Sequence, residues 1–312
     1  MNTTPDLVLM GNLLVDDIVL TDGRTLLGEP GGAVLHTALA ASLWGCRVGI
    51  VSIAGSDYPS FALDELSRRG VDLAGIRHLN RPGGRAWLLH EPSARRVIHH
   101  LDCPSHADIS PLMTDLPVAW QSARGIHLAP MPLDRQLQLA RGVTIAAPAS
   151  FISLDPFDLI CDEAAARWQA PLAHVDALFA GTDDLRLSQD PATAITAIAG
   201  DRLRLLVLKQ AERGGSLLDL HGDTNCRWEA RVNRVMDVTG AGDAFAGGFL
   251  AGWLAGADLP VSLAQGVVAA SFAVEDWGSR GLGQATPSRA RERLRHWFPE
   301  LAPSSLERQI TP

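Results

Sequence analysis

The sequence predicts an α/β fold in which a mostly parallel β-sheet is covered by helices. Short apolar segments of strand length alternate along the chain with longer segments whose apolar residues recur every three or four positions. Strands that alternate with helices usually pair in parallel, because each helix carries the chain back to the starting edge of the sheet. Hydrophobic residues form 46% of the chain and charged residues 20%, so apolar material suffices for a large buried core.

The regular elements are predicted from apolar runs between turn signals. Buried strands are expected where a short apolar run is flanked by glycine or polar residues, and helices where the apolar period is near 3.6. Gly45 and Gly70 follow two of the helices and supply their stop signals. The predicted strands are 6–10, 47–54, 125–129, 151–154, 175–180 and 205–209, and the best-defined helices are 34–43, 61–69 and 288–297.

Two segments interrupt this alternation. Leu13–Leu27, with a turn signal at 21–23, and Arg85–Leu101 each predict a pair of short strands. Because an isolated hairpin is marginally stable in water, the two hairpins are expected to pack into one small sheet. We therefore expect a single domain over 1–300, with inserted segments at about 13–27 and 85–102, and a loosely held tail at 301–312.

The charge and the cysteines exclude several classes of function. With a net charge of −8, the surface repels phosphate backbones and acidic lipids, so neither nucleic acid nor a membrane is an expected partner. The four cysteines form no CxxC pair, and no apolar run reaches the roughly 18 residues of a membrane span. The N-terminus has no signal-peptide pattern. The sequence predicts a cytoplasmic protein with reduced thiols.

The segment Asp237–Phe249 carries the strongest chemical signal. It reads Asp-Val-Thr-Gly-Ala-Gly-Asp-Ala-Phe-Ala-Gly-Gly-Phe, and a helix is predicted to begin after its first two glycines. Such glycines permit a tight turn that points backbone N–H groups into one concavity, and the helix dipole favours an anion there. Asp243 then has two interpretations. It caps the helix, or it accepts the proton of a hydroxyl that attacks a bound phosphoryl group.

This segment closely resembles the C-terminal signature of the ribokinase (PfkB-type) carbohydrate kinase family. A second match, Gly31–His36 followed by an Ala-rich helix and then by Gly55, Asp57 and Gly70–Asp72, lies where that family has its N-terminal signature. The resemblance extends from Gly11 to about Pro287. It implies a ribokinase-like three-layer α/β/α sandwich with a small β lid, and an ATP-dependent kinase acting on a hydroxyl of a sugar, polyol or related small molecule.

The resemblance also implies roles for individual residues. Asp243 would be the catalytic base, with the backbone of Gly240, Ala241 and Gly242 as the anion hole. Family members usually bind ATP and Mg²⁺, many are activated by K⁺, and the lid often forms a homodimer contact. The implied substrate-binding residues are Asp16, Gly31, Gly32 and His36; the cofactor-binding residues are Lys209, Gly214 and Asp184; and the residues near the monovalent metal are Asp237 and Thr239.

Several positions depart from the family pattern. His36 stands where Asn is usual, and Asp155–Phe157 replaces the frequent Asp-Pro-Asn, so the acceptor is expected to differ from ribose. Gly181 replaces the Asn of the Asn-x-x-Glu motif while Asp184 keeps a carboxylate, which puts the usual handling of Mg²⁺ in doubt. Ala211 replaces a glycine of the nucleotide-side stretch that begins at Lys209 and ends at Gly214.

Two alternative functions remain open. A nucleoside kinase of the same family would place aromatic residues over a base, and Trp87 is the obvious candidate in the lid. A catalytically weak metabolite-binding homologue would account for the departures at His36 and Gly181. The densest group of soft-metal ligands matches no closed zinc motif and is expected at the lid edge: His99, His100, Cys103 and His106.

Overall fold

The structure is a computed structural model that describes residues 4–91, 95–222 and 224–301. Strands and helices alternate over most of the chain. The strands are β1 (Leu7–Met10), β2 (Leu14–Val19), β3 (Thr25–Gly31), β4 (Val48–Ala54), β5 (Asp72–His78), β6 (Gly84–His90), β7 (Arg95–His99), β8 (Gly125–Leu128), β9 (Phe151–Leu154), β10 (Ile160–Cys161), β11 (Ala177–Gly181), β12 (Leu185–Arg186), β13 (Leu205–Lys209), β14 (Gly215–Asp219) and β15 (Asn225–Trp228). The helices are α1 (Ala33–Leu43), α2 (Ser60–Arg68), α3 (Leu133–Ala146), α4 (Ala165–Leu172), α5 (Pro191–Ile198), α6 (Ala241–Leu254), α7 (Leu259–Val274), α8 (Arg280–Gln284) and α9 (Pro287–Trp297).

The main sheet has nine strands in the order β15-β14-β13-β11-β9-β8-β1-β4-β5. All neighbours from β13 to β5 are parallel, which confirms the predicted mostly parallel sheet. At one end of the sheet, β14 pairs antiparallel with both β13 and the edge strand β15, so the expected alternation of strand and helix does not continue through this part of the chain. β5, β14 and β15 were not predicted from the sequence, because these partly exposed strands form no continuous apolar run.

Two helical layers cover the two faces of this sheet. One layer contains α1, α2 and α6 to α9, and it shares a core with Phe179, Phe249 and Phe272. The opposite layer contains α3, α4 and α5, which pack around Trp168. All residues of β1 and β4 are buried, as expected for central strands that are covered on both faces. The arrangement confirms the predicted three-layer α/β/α architecture.

The two predicted hairpins form one four-stranded sheet in the order β3-β2-β6-β7, which we call the small sheet. Both hairpins are antiparallel, and they join through the parallel pair β2–β6. The first hairpin extends to Gly31 instead of ending near Leu27. Residues 92–94, between β6 and β7, lie outside the described residues. The predicted tail also lies outside them from residue 302 onward.

Asp17, which the sequence analysis did not identify, holds the small sheet together. Its carboxylate accepts two hydrogen bonds of 2.7 Å from Arg85 of β6 and one of 2.8 Å from the Gly28 N–H of β3. Burial alone would raise the pKa of Asp17, but the Arg85 and Gly28 hydrogen bonds outweigh it and lower that pKa. The carboxylate therefore links the two hairpins as a charged, fully paired group.

The small sheet also packs against the main body beside the Asp237–Phe249 segment. Ile18, Leu20 and Leu88 form a hydrophobic cluster with Met236 and Trp277. A two-point ion pair joins Glu29 of β3 to Arg280 of α8, with N–O distances of 2.7 and 3.0 Å. Among the described helices, none is long and apolar enough to cross a membrane.

Candidate active site

The Gly240–Asp243 turn begins α6. Gly240 is the N-cap with φ of 72°, a left-handed conformation that favours glycine, and α6 starts at Ala241. No side chain caps this helix, and Asp243 lies inside its first turn, so the interpretation of Asp243 as the N-cap is wrong. The Ala241 N–H donates to the Val238 carbonyl at 3.3 Å. The N–H groups of Gly242 and Asp243 belong to the first turn, where a helix supplies no carbonyl partner, so they are the donors best placed to meet an anion.

His36 packs directly on Gly240. A Cβ atom at Gly240 would lie 2.1 Å from Cδ2 of the His36 ring, so a side chain at this position would displace the imidazole. His36 is only 2% exposed, and its Nδ1 lies 3.3 Å from the Gly32 carbonyl oxygen. Its Nε2 is buried and has no hydrogen-bond partner in the part of the chain that the structure describes. The α1 histidine therefore forms a wall of the same turn that holds Asp243.

Asp16 lies over the backbone that connects β3 to α1. A Cβ atom at Gly31 would lie 1.9 Å from an Asp16 carboxylate oxygen, and one at Gly32 would lie 2.2 Å from the Asn12 carbonyl oxygen. Gly32 also has φ of 96°, so both positions require glycine for close approach. Tyr58 donates a 3.3 Å hydrogen bond to the Gly31 carbonyl. The four residues predicted to bind substrate, Asp16, Gly31, Gly32 and His36, are thus brought together.

A buried ion pair lies beside the same turn. Lys209 Nζ is 2.5 Å from Asp155 Oδ2, and both side chains are largely buried. The same Nζ is 3.2 Å from the point that a Cβ atom of Gly242 would occupy. Lys209 therefore lies against the Gly240–Asp243 turn and can contribute positive charge to it.

The electrostatics of this pair connect it to two further carboxylates. Burial, together with the negative charges of Asp243 and Asp184, raises the pKa of Asp155 to about 7 against the opposing effect of Lys209. Burial would lower the pKa of Lys209, but Asp155, Asp184 and Asp243 raise it above its ordinary value. One ammonium among three carboxylates thus lies where the ends of β9, β11 and β13 meet the start of α6.

Two of the predicted cofactor residues have clear local roles. Asp184 Oδ2 accepts a 2.7 Å hydrogen bond from the Gly181 N–H, which fixes this carboxylate at the end of β11. Gly214 has φ of 84°, and a Cβ atom there would lie 2.0 Å from the Trp228 carbonyl oxygen. Gly214 is therefore required by the tight connection between β13 and β14.

A cavity of about 860 Å³ adjoins this connection. Its volume falls within the range of small-molecule sites, roughly 300–1,000 Å³. The Trp228 ring on its wall stacks on Phe245 of α6, with ring centroids 4.8 Å apart. The cavity is thus built on the helix that begins at the Gly240–Asp243 turn. Other residues that line it are Gln210, Arg213, Arg231, Val267 and Phe298.

Asp237 and Thr239 contact the small sheet through His90. Asp237 is 2% exposed and accepts hydrogen bonds from the N–H groups of Thr239 (2.9 Å) and Gly278 (2.8 Å). His90 Nε2 of β6 lies 3.3 Å from both Asp237 Oδ1 and Thr239 Oγ1. Burial would raise the pKa of Asp237, but these contacts outweigh it and hold the pKa at about 2. Protein donors therefore satisfy this carboxylate.

Replacing Asp237 by Asn should lower the free energy of unfolding at pH 7 by about 2 kcal/mol. The pKa of Asp237 is lower in the folded protein than in the unfolded chain, so the ionised carboxylate stabilises the fold. A carboxyl whose folded-state pKa is lowered loses this contribution as pH falls from about 4 toward 2. The difference between wild type and Asp237→Asn in urea unfolding should therefore shrink between pH 5 and pH 3. An equal difference at both pH values would contradict the lowered pKa.

The residues considered for zinc do not assemble into a metal site. Within the described ranges, no three His, Cys, Asp or Glu side chains are grouped so that they could hold a metal ion. His100 Nε2 lies 3.1 Å from Asp17, and Cys103 Sγ lies 2.9 Å from the His100 carbonyl oxygen. All four cysteines are free thiols. A Mg²⁺ ion that takes one or two protein oxygens and the rest from phosphate and water does not need such a group, so Asp184 or Asp243 alone could serve it.

Comparison with known proteins identifies the family. Residues 7–285 match the pfkB family of carbohydrate kinases. A cytidine kinase of Thermococcus kodakarensis is 27% identical, covering 88% of this chain and 97% of its own, and a fructokinase of Escherichia coli is 30% identical, covering 78% and 83%. A putative ribokinase II of E. coli in complex with ATP and Mg²⁺ superposes with a TM-score of 0.75 at 18% identity, covering 94% and 99%. A Burkholderia thailandensis nucleoside kinase in complex with inosine superposes with a TM-score of 0.72 at 17% identity, covering 94% and 99%. The chain therefore belongs to the pfkB carbohydrate kinase family.

Proposed function

We propose that this kinase transfers the γ-phosphoryl group of ATP to a hydroxyl of a sugar, polyol or nucleoside, with Asp243 as the base. The observation that carries the proposal is the meeting of three chemical groups at the start of α6. The Asp243 carboxylate shares one turn with the N–H groups of Gly242 and Asp243, and the Lys209 ammonium lies against Gly242. A proton acceptor and positive electrostatic groups are the protein parts that phosphoryl transfer to an alcohol needs.

Asp243 would take the proton of the attacking hydroxyl as its oxygen bonds to the γ-phosphorus. The first-turn N–H groups and Lys209 would stabilise the negative charge on the transferring group. Mg²⁺, when bound with the nucleotide, would supply charge neutralisation between the phosphates, with Asp184 among the carboxylates available to hold it. The family resemblance and the ATP and Mg²⁺ complex of a structural neighbour support this choice of cofactors.

The two substrates would approach the turn from different sides. The cavity built on Trp228 and Arg213 adjoins the loop after β13, so it suits the nucleotide. Asp16 and His36 lie on the side that the small sheet adjoins, so they suit the acceptor. A covering sheet would also limit the access of water, which competes as an acceptor.

The test of this proposal is ADP release measured with hexoses, pentoses, inositols, keto-deoxy acids and nucleosides. At least one acceptor should raise ADP release far above the rate without acceptor, and the product should be its phosphate monoester. ATP binding without acceptor-dependent ADP release across the panel would overturn the proposal and favour a metabolite-binding homologue.

Asp16→Ala should raise the acceptor KM and lower kcat/KM by about 10-fold or more while leaving the KM for ATP nearly unchanged. The physical reason is that a carboxylate hydrogen bond to a hydroxyl is worth about 1.5–3 kcal/mol, and Asp16 lies on the acceptor side only. Steady-state kinetics with the acceptor and ATP varied in turn would measure the two KM values separately. Asp22→Ala is the matched control, because Asp22 is an exposed aspartate in the same hairpin. A lower ATP affinity with normal acceptor kinetics would contradict the placement.

A further inference from the structure

His90 joins the small sheet directly to the segment that leads into the Gly240–Asp243 turn. It is the last residue of β6, and its side chain is only 10% exposed. Nε2 of the ring lies 3.3 Å from Asp237 Oδ1 and 3.3 Å from Thr239 Oγ1. Thr239 is followed immediately by Gly240, the N-cap of α6. The small sheet therefore contacts the chain one residue before the turn.

The chemistry of the side chains gives the direction of the contact between His90 and Asp237. An ionised carboxylate accepts hydrogen bonds and cannot donate them, so Nε2 of His90 carries the proton that points at Asp237. The same carboxylate accepts hydrogen bonds from the N–H groups of Thr239 and Gly278. Asp237 thus connects the small sheet, the segment before α6 and the segment before α8.

The segment before α6 is held differently at its two ends. The N–H groups of Met236 and Asp237 donate to the Val274 carbonyl at the end of α7, at 2.7 and 3.4 Å. Backbone hydrogen bonds thus fix the start of the segment to the main body. Closer to the turn, the Thr239 N–H donates to a side chain, that of Asp237. The end of the segment that leads into the turn is therefore held through side chains, and His90 is one of them.

The ion pair of Glu29 and Arg280 is a second connection between the small sheet and the main body. It joins β3 to α8 and includes no residue of the segment before α6. Weakening this pair therefore loosens the small sheet without removing a contact from that segment, whereas a change at His90 removes one. The two connections can be tested separately.

The small sheet also carries Asp16, which lies on the acceptor side. Strands β2 and β6 pair in parallel with Asp16 opposite Ala86, and His90 lies four residues further along β6. Because the paired strands are hydrogen-bonded along their length, Asp16 and His90 keep a fixed separation. One rigid sheet thus contacts both the acceptor side and the segment that leads into the turn.

We propose that His90 is a positioning residue for phosphoryl transfer: it holds Thr239, and with it the Gly240–Asp243 turn, while the small sheet is seated on the main body. This inference rests on the proposed function and adds a residue to it. Phosphoryl transfer depends on positioning and electrostatic stabilisation, and a misplacement of about 1 Å can cost roughly 10²-fold in rate. Loss of the His90 contact loosens the backbone that sets the Asp243 carboxylate and the first-turn N–H groups.

The experiment measures steady-state ADP release by wild type, His90→Ala and His90→Gln, using the acceptor that gives the highest rate among hexoses, pentoses, inositols, keto-deoxy acids and nucleosides. In His90→Ala, kcat should fall roughly 10- to 100-fold while the KM values for ATP and acceptor change little. Gln keeps an N–H donor at a similar reach, so His90→Gln should recover most of the lost kcat. His78→Ala, at an exposed histidine that ends β5, is the matched control.

Glu29→Gln separates the positioning of the turn from the general seating of the small sheet. It weakens the ion pair with Arg280 and leaves the His90 contacts in place, so it should raise the acceptor KM more than it lowers kcat. Three results would overturn the proposal: a wild-type kcat in His90→Ala, no recovery in His90→Gln, or an equal fall of kcat in Glu29→Gln.

Hydrogen exchange provides a measurement that needs no turnover. The amides of residues 238–245 should exchange faster in His90→Ala than in wild type, while those of β13 should exchange at the same rate in both proteins. Unchanged exchange at residues 238–245 would overturn the positioning role of His90. No acceptor-dependent ADP release by the wild type would instead overturn the proposed function, and hydrogen exchange would still show whether His90 holds the turn.

Discussion

Asp243→Asn is expected to lower kcat by roughly 10²–10⁴-fold, the contribution typical of a general base, while the fold and ATP affinity are retained. Asn keeps the size and polarity of Asp but cannot accept the hydroxyl proton at neutral pH. The N-cap of α6 is Gly240, so the substitution removes no capping hydrogen bond. Acceptor-dependent ADP release, calorimetric ATP binding and thermal unfolding would measure the three quantities.

Asp258 provides the matched control for this substitution. It is the N-cap of α7, and its side chain accepts a 2.9 Å hydrogen bond from the Val261 N–H. Asp258→Asn should change neither kcat nor stability, and Asp258→Ala should cost about 1 kcal/mol of stability with kcat unchanged. Turnover near the wild-type rate in folded Asp243→Asn would remove Asp243 from the mechanism and leave its carboxylate without a chemical role.

The parts of the fold that the sequence predicted are those with a local signal. Fully buried strands such as β1 and β4 are continuous apolar runs, and a period near 3.6 together with Gly45 marks α1. Strands near the ends of the sheet, such as β14, lack such a run, because only part of each is buried. The pairing of these strands depends on the rest of the sheet, so a short stretch of sequence does not predict it.

Some parts of the candidate site likewise have a local sequence signal, and others do not. The turn at Gly240 is encoded by contiguous glycines, so its position could be predicted, although the helix start was placed too late to exclude capping by Asp243. Asp155 and Lys209 are 54 residues apart and meet only because β9, β11 and β13 are neighbours in the sheet. His90 of the small sheet and Asp237 of the loop before α6 likewise meet only in the folded chain. Pairings of this kind depend on strand order, which the sequence pattern left open.

Lys209→Met should have the largest combined effect on activity and stability. Loss of the ammonium beside Gly242 should lower kcat by about 10²–10³-fold, comparable to removing one preorganised donor to a developing anion. It should also cost about 3–5 kcal/mol of stability, because Asp155 is left buried without its counter-charge. Without Lys209 the pKa of Asp155 rises above its value of about 7. Because the ionised Asp155 then lacks its counter-charge, ionising it in the folded protein costs more free energy. The loss of stability relative to wild type should therefore be greater at pH 8.5 than at pH 6 in urea unfolding.

The double variant Lys209→Met/Asp155→Leu separates the two effects. Replacing both charges by apolar side chains removes the uncompensated carboxylate, so most of the lost stability should return. The rate should not return, because the positive charge beside the Gly240–Asp243 turn is still missing. Recovery of kcat together with stability would contradict a role for Lys209 at the phosphoryl group, and would reduce the pair to a structural link between β9 and β13. Recovery of stability alone, with kcat still depressed about 10²-fold or more, would assign the Lys209 charge to phosphoryl transfer.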